Sequence, residues 1–195
     1  MSVRDWMDRG TGLFLAAVDG MGDDALDGPT PLPGWTRRHL VAHVHYNAEA
    51  LRRLVHWAAT GQERRMYESA DQRAAEIESG ARLHPSELRA LVHGSARALA
   101  ADLDALPERA WSHRVVTAQG RTVPAAEIPW MRTREVTVHA VDLDAGVGFG
   151  DLPEEVNAAL AAEAAGKHAA GGAAAVLAAW LTGRSTEAPD LGPWL

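Results

Sequence analysis

Four stretches of the chain repeat apolar residues at helical intervals, and each is bounded by residues that start or stop a helix. Residues 3–19 carry Trp6, Leu13 and Val18 on this period. A helix is expected from Thr36 to about Thr60, with Thr36 as N-cap, Trp35 available for a staple against Leu40, and Gly61 as the stop. A third begins at Pro85 and runs through Leu88, Leu91, Val92, Leu99 and Leu103. The fourth is entered between Pro124 and Pro129 and closes at Gly146. Four such helices predict a mainly α protein built on a four-helix bundle. The loop GDDALDGPTPLPG separates the first two, and residues 62–83 read as polar and irregular with some helix. SHRVVTAQGRTV predicts a short hairpin or extended loop turning at Gln119-Gly120. Beyond Asp151 come helical pieces near 153–166 and 172–182, then the tail EAPDLGPWL. The expected organisation is a bundle over 1–150 and a short, mostly helical appendage over 151–195.

Composition narrows the function. A chain of 195 residues with 47% hydrophobic content can bury a proper core, and its net charge of −7 argues against nucleic-acid binding. Lys167 is the sole lysine, a bias that fits a GC-rich bacterial gene. With no cysteine there is no disulfide, no thiolate metal site and no cysteine nucleophile, so thiol chemistry would need a borrowed thiol. MSVRDWMDRGTG lacks the apolar core of a signal peptide, and the alanine-rich 158–181 is broken by Glu163, Lys167 and His168. A cytoplasmic protein that does not span a membrane is expected.

The segment WMRTREVTVHAVDLDAG sets Glu135 and His139 four residues apart, hence on one face of a helix. That spacing alone favours an ion pair. The second helix adds His39, His43 and His45; His43 shares a face with Leu40, Asn47 and Ala50, His45 points away, and His39 lies one turn below His43 as a competing ligand. One histidine from one helix with Glu plus His from another would supply three N/O ligands and leave open positions, as in a catalytic metal site. Such ligands suit zinc, nickel or iron(II).

LPGWTRRHLVAHVHYNAEAL resembles the second-helix motif of the mycothiol-dependent maleylpyruvate isomerase family, whose metal-binding domain is a DinB-like helical bundle. The resemblance continues through RMYESADQRAAEIESGAR, WMRTREVTVHAVDLDAG, WLTGRS and PDLGPWL, nearly the whole chain in order. It implies His43, Glu135 and His139 as ligands of zinc or another divalent metal, with His39 outside the set, and Arg184 in WLTGR as a functionally important arginine. Arg73, Asn47 and Arg132 (or Arg134) are then candidates for holding an anionic substrate. The chain departs from the family pattern where a small β-sheet normally precedes W-L-x-G-R; here AALAAEAAGKHAAGGAAAVLAAWLTGR runs almost directly from helix to helix.

The resemblance also implies a cofactor, the cytosolic thiol mycothiol, and a small electrophilic substrate. A metal-held thiolate adds to an activated double bond, the new single bond rotates, and elimination releases the trans isomer. The same site could serve a mycothiol S-transferase, a metal hydrolase using activated water, or a metal-binding bundle without catalysis. Bundles of this type often pair, so a homodimer is among the expectations.

Overall fold

The structure, a computed structural model, describes residues 1–192. The tail motif PDLGPWL therefore ends outside the described residues. Two compact units divide the chain, Met1–Asp151 and Leu152–Leu195.

The first unit is built from α1 (Val3–Gly20), α2 (Arg37–Thr60), α3 (Ala70–Ala81), α4 (Pro85–Asp104), β1 (Arg114–Val116), β2 (Thr122–Pro124) and α5 (Ile128–Asp142). Helices α1, α2, α4 and α5 make the bundle, with α1 against α5 and α4, and α2 against α4 and α5. The expected signals operate at several ends. Gly61 takes φ 77° and its N–H reaches the Trp57 carbonyl, while Pro85 opens α4 where its missing N–H costs nothing. Gly120 takes φ 76° in the turn joining β1 to its antiparallel partner β2.

One expectation is sharpened and another corrected. Residues 70–81 form a regular helix, capped by the Ser69 hydroxyl accepting from Gln72 N at 3.0 Å. Its short apolar face, Ile77 with Gly80 and Ala81, hid it within a polar stretch. Helix α5 ends at Asp142, four residues before Gly146, because Arg37 intercepts the chain there. Arg37 Nε donates to the Leu143 carbonyl at 2.6 Å and Nη2 to the Asp144 carbonyl at 3.0 Å, and Asp144 itself turns left-handed at φ 48°.

Two apolar clusters fill the bundle. One gathers Phe14, Val18, Leu40, Val44, Leu88, Val92, Val136 and Ala140; the other gathers Leu51, Leu54, Leu99, Leu103, Val115 and Ile128. Each fully buried leucine contributes roughly 1.5–3 kcal/mol. Along α2, His43 and Asn47 fall where one cluster gives way to the other, and along α5 Arg132 and Glu135 do the same. A polar level thus crosses the bundle between two dry ones.

The second unit holds α6 (Glu154–His168) and α7 (Ala174–Leu181), joined through a wide turn at Ala169–Ala173 in which Gly172 takes φ 108°. No strand occurs among the described residues beyond Pro124, and no helix among them is long and apolar enough to cross a membrane.

Candidate metal centre

Helices α2 and α5 bring His43, Glu135 and His139 together. His43 Nε2 lies 2.9 Å and His139 Nε2 3.4 Å from the same atom, Glu135 Oε2, and one donor atom from each residue lies within 4.8 Å of the others. Donors around a tetrahedral ion with bonds near 2 Å stand about 3.3 Å apart, so this spacing fits a divalent cation of the zinc kind. Both histidines are buried, but the Glu135 side chain is 20% exposed, which leaves the cluster one accessible side. No other group of histidine and carboxylate donors converges in this way among the described residues.

The surroundings treat the two histidines differently. Behind His139, Asp142 Oδ2 lies 2.8 Å from Nδ1, which holds the ring with Nε2 toward Glu135. Burial opposes a charge on His139, yet hydrogen bonds to Asp142 and Glu135 outweigh it and raise its pKa to about 9. Burial likewise opposes ionisation of Glu135, but its bonds to His139 and His43 hold it well below the usual carboxylate range. His43 goes the other way. Burial lowers its pKa, only partly offset by Glu135, and Arg73 Nη2 stands 3.1 Å from Nδ1. The ring packs tilted on Trp35 with centroids 5.4 Å apart, and edge-on to His139 at 5.0 Å.

The remaining candidate residues fall into distinct places. His39 closes the start of α2, its Nδ1 accepting from Thr36 N at 3.2 Å, and its Nε2 lies 3.3 Å from Glu78. A histidine three residues after a threonine cap is a capping-box position, and that signal separates it from the His43–Glu135–His139 cluster. His45, expected to point away from the interior, is 8% exposed and lies edge-on to Tyr46. Because α2 packs against α3, α4 and α5, it has almost no outward face. Asn47 and Arg132 are interior as well. Arg132, 1% exposed, donates from Nη1 to the Val44 carbonyl at 2.7 Å and to Asn47 Oδ1 at 2.8 Å, tying α5 to α2 one turn from the triad.

Arg73 reaches the triad from α3, its guanidinium 5.8 Å over the Tyr67 ring. Both line a cavity of about 430 Å³ between residues 63–70 and the β1–β2 turn, with Met66, Val116 and Ala118 among its apolar walls. Arg184 belongs to the second unit, where it is exposed and its Nη1 donates to the Thr182 carbonyl in the turn just past the end of α7. Two residues stand out that the motifs did not single out as contributors, Asp142 and Tyr67. Asp142 is signalled only by its i+3 spacing to His139, and Tyr67 by nothing local.

A helical bundle with a His–Glu–His cluster between two of its core helices defines the class of DinB-like bundles with a metal-type centre. Within that class the chain belongs to the mycothiol maleylpyruvate isomerase family, an enzyme family: residues 8–144 match the model of its N-terminal domain. The crystal structure of the mycothiol-dependent maleylpyruvate isomerase is 46% identical, superposes with a TM-score of 0.82, and is matched over 84% of this chain and 68% of its own. A histidine-to-alanine mutant of that enzyme gives 45% identity and a TM-score of 0.85 over 87% and 71%. YfiT from Bacillus subtilis, published as "a probable metal-dependent hydrolase with an unusual four-helix bundle topology", shares the fold at 17% identity, with a TM-score of 0.58 over 73% of this chain and 83% of its own. No curated protein matches the chain.

Proposed function

We propose that the protein is a metal-dependent, mycothiol-dependent enzyme that isomerises a small cis-enoate of the maleylpyruvate kind. The observation that carries this is the convergence of His43, Glu135 and His139, open on one side, in a chain of this family. When bound there, zinc or a similar cation supplies the positive charge that keeps a thiol as thiolate near neutral pH.

The chain's own residues have separate tasks. His43 and His139 offer Nε2 and Glu135 its carboxylate, while Asp142 keeps His139 turned toward the site. Trp35 shields one side of His43. Mycothiol, when bound, would supply the thiolate that this cysteine-free chain lacks, for reversible addition to the substrate double bond that would permit cis-to-trans rotation. Arg73, beside both the triad and the cavity, suits a substrate carboxylate; Arg184, which the family resemblance marks as functionally important, is the proposed group to stabilise the developing enolate. Asn47 and Arg132 hold α2 and α5 in register beneath the site. Mycothiol being a small cytosolic thiol, the cytoplasm is the proposed compartment.

A second reading has one observation in its favour. The chain matches 68% of the isomerase's length and has no strand among its described residues beyond Pro124. A mycothiol S-transferase on another electrophile would use the same thiolate without the elimination step. Zinc analysis of purified protein followed by a maleylpyruvate assay with and without mycothiol separates these outcomes. Stoichiometric zinc with thiol-dependent isomerisation supports the proposal; stable adducts without isomerisation favour the transferase. Turnover without thiol indicates hydrolysis, and a metal-free, fully stable protein removes metal-dependent catalysis.

A further inference from the structure

Arginine can only donate hydrogen bonds, so the 3.1 Å contact between Arg73 Nη2 and His43 Nδ1 requires Nδ1 to accept. The neutral ring then carries its proton on Nε2, which donates to Glu135 Oε2 at 2.9 Å. A cation bound through the Nε2 lone pair needs the opposite tautomer. The proton would sit on Nδ1, and two N–H groups would then face each other at 3.1 Å. At His139 no such conflict exists, because the group behind Nδ1 is the Asp142 carboxylate, an acceptor. One histidine is backed by the partner that metal ligation uses, the other by a partner that opposes it.

We infer that Arg73 and a metal ion compete for His43: Arg73 locks the ring in the metal-free protein, and metal entry turns its guanidinium toward Tyr67 and the adjoining cavity, where it holds the substrate's carboxylate. Tyr67 already lies beneath the guanidinium, 5.8 Å away, and both residues line the 430 Å³ cavity, so the displaced cation has a place to go. Met66, Val116 and Ala118 provide an apolar surface in that cavity for the carbon chain of a small enoate. Through this exchange the metal and the anionic substrate favour each other's binding. The inference rests on the proposed metal site.

Zinc affinity tests it without any turnover, by competition with a chromophoric chelator at fixed pH, with circular dichroism confirming the fold of each variant. Arg73→Met removes the opposing donor, and Arg73→Gln replaces it with a side chain whose carbonyl can accept from Nδ1–H. Both should bind zinc about tenfold more tightly than wild type, the scale on which partners behind a ligand act. Arg73→Lys, still a cationic donor, should stay near wild type. Equal or weaker zinc binding by folded Arg73→Gln would overturn the competition while leaving the metal site standing; no zinc binding by wild type would overturn both. Zinc-loaded Arg73→Met should also bind maleate, a stable cis-dicarboxylate, about tenfold more weakly than zinc-loaded wild type, and an unchanged maleate affinity would overturn the carboxylate role.

Discussion

Asp142 Oδ2 lies 2.8 Å from His139 Nδ1, one helical turn beyond a histidine whose other nitrogen faces Glu135. The carboxylate fixes which nitrogen of His139 carries a proton and which is presented to the site. Losing that partner should cost metal affinity and little stability. Asp142→Ala is expected to bind zinc about 10–100-fold more weakly than wild type by chelator competition. Its melting temperature, measured with chelator present, should shift by no more than a few degrees.

The three proposed ligands should behave as a unit. His43→Ala, Glu135→Gln and His139→Ala are each expected to reduce zinc from one equivalent to near zero by elemental analysis. His39→Ala should keep its zinc, because His39 caps α2 and lies outside the cluster. Its cost would be stability instead, about 1 kcal/mol for a lost cap, read from chemical denaturation. Zinc lost from His39→Ala and retained in His43→Ala would reverse the assignment.

Asn47→Ala should destabilise the protein by about 1–3 kcal/mol in urea unfolding, because it strips a hydrogen-bond partner from a buried guanidinium. Burial already lowers the Arg132 pKa to about 10, so this cation has little tolerance for losing an acceptor. Zinc affinity should fall with it, since the pair ties α2 to α5 one turn from the triad.

Two glycine substitutions should act in opposite directions. A Cβ on Gly10 would come within 2.6 Å of Thr137 Cγ2 and 2.9 Å of Val136 Cγ2. Thr137 cannot easily rotate away, because its hydroxyl donates to the Thr133 carbonyl at 2.7 Å. Overpacking of about 1–3 kcal/mol should outweigh the helix-propensity gain of about 1 kcal/mol, so Gly10→Ala lowers the melting temperature. A Cβ on Gly94 meets nothing within 4 Å in the interior of α4, and Gly94→Ala should stabilise by about 0.4–1 kcal/mol.

Arg184→Ala addresses the second unit. If Arg184 stabilises charge in the transition state, kcat should fall about 10²–10³-fold with zinc content unchanged. An unchanged kcat would reduce Arg184 to the carbonyl contact it makes at the end of α7.

The proximity of the candidate residues was partly legible in the chain. Spacing set His43 on the inward face of α2 and Glu135 with His139 on one turn of α5, because a helix turns a fixed spacing into a shared face. For Glu135 and His139 it favoured an ion pair, and only the family resemblance joined the three as a proposed ligand set. His39 was not separated from His43 by spacing and stood as a competing ligand; its capping contact with Thr36 emerged only in the structure. His45 was misplaced because period alone cannot say that α2 is covered by three other helices. Helix α3 was hidden because one buried isoleucine and two small residues make a weak apolar face.

The sequence by itself determined where the bundle helices start, most of where they stop, and which side chains each one groups on a face, since caps, prolines and periodicity act within a few residues. Only the tertiary structure decided which faces meet. Arg73 arrives at His43 from thirty residues away and Arg37 ends α5 from more than a hundred, and no local pattern encodes either contact. Such contacts form when apolar faces are buried against each other, and that burial is non-directional. The polar partners carried along with it therefore become visible only once the helices are packed.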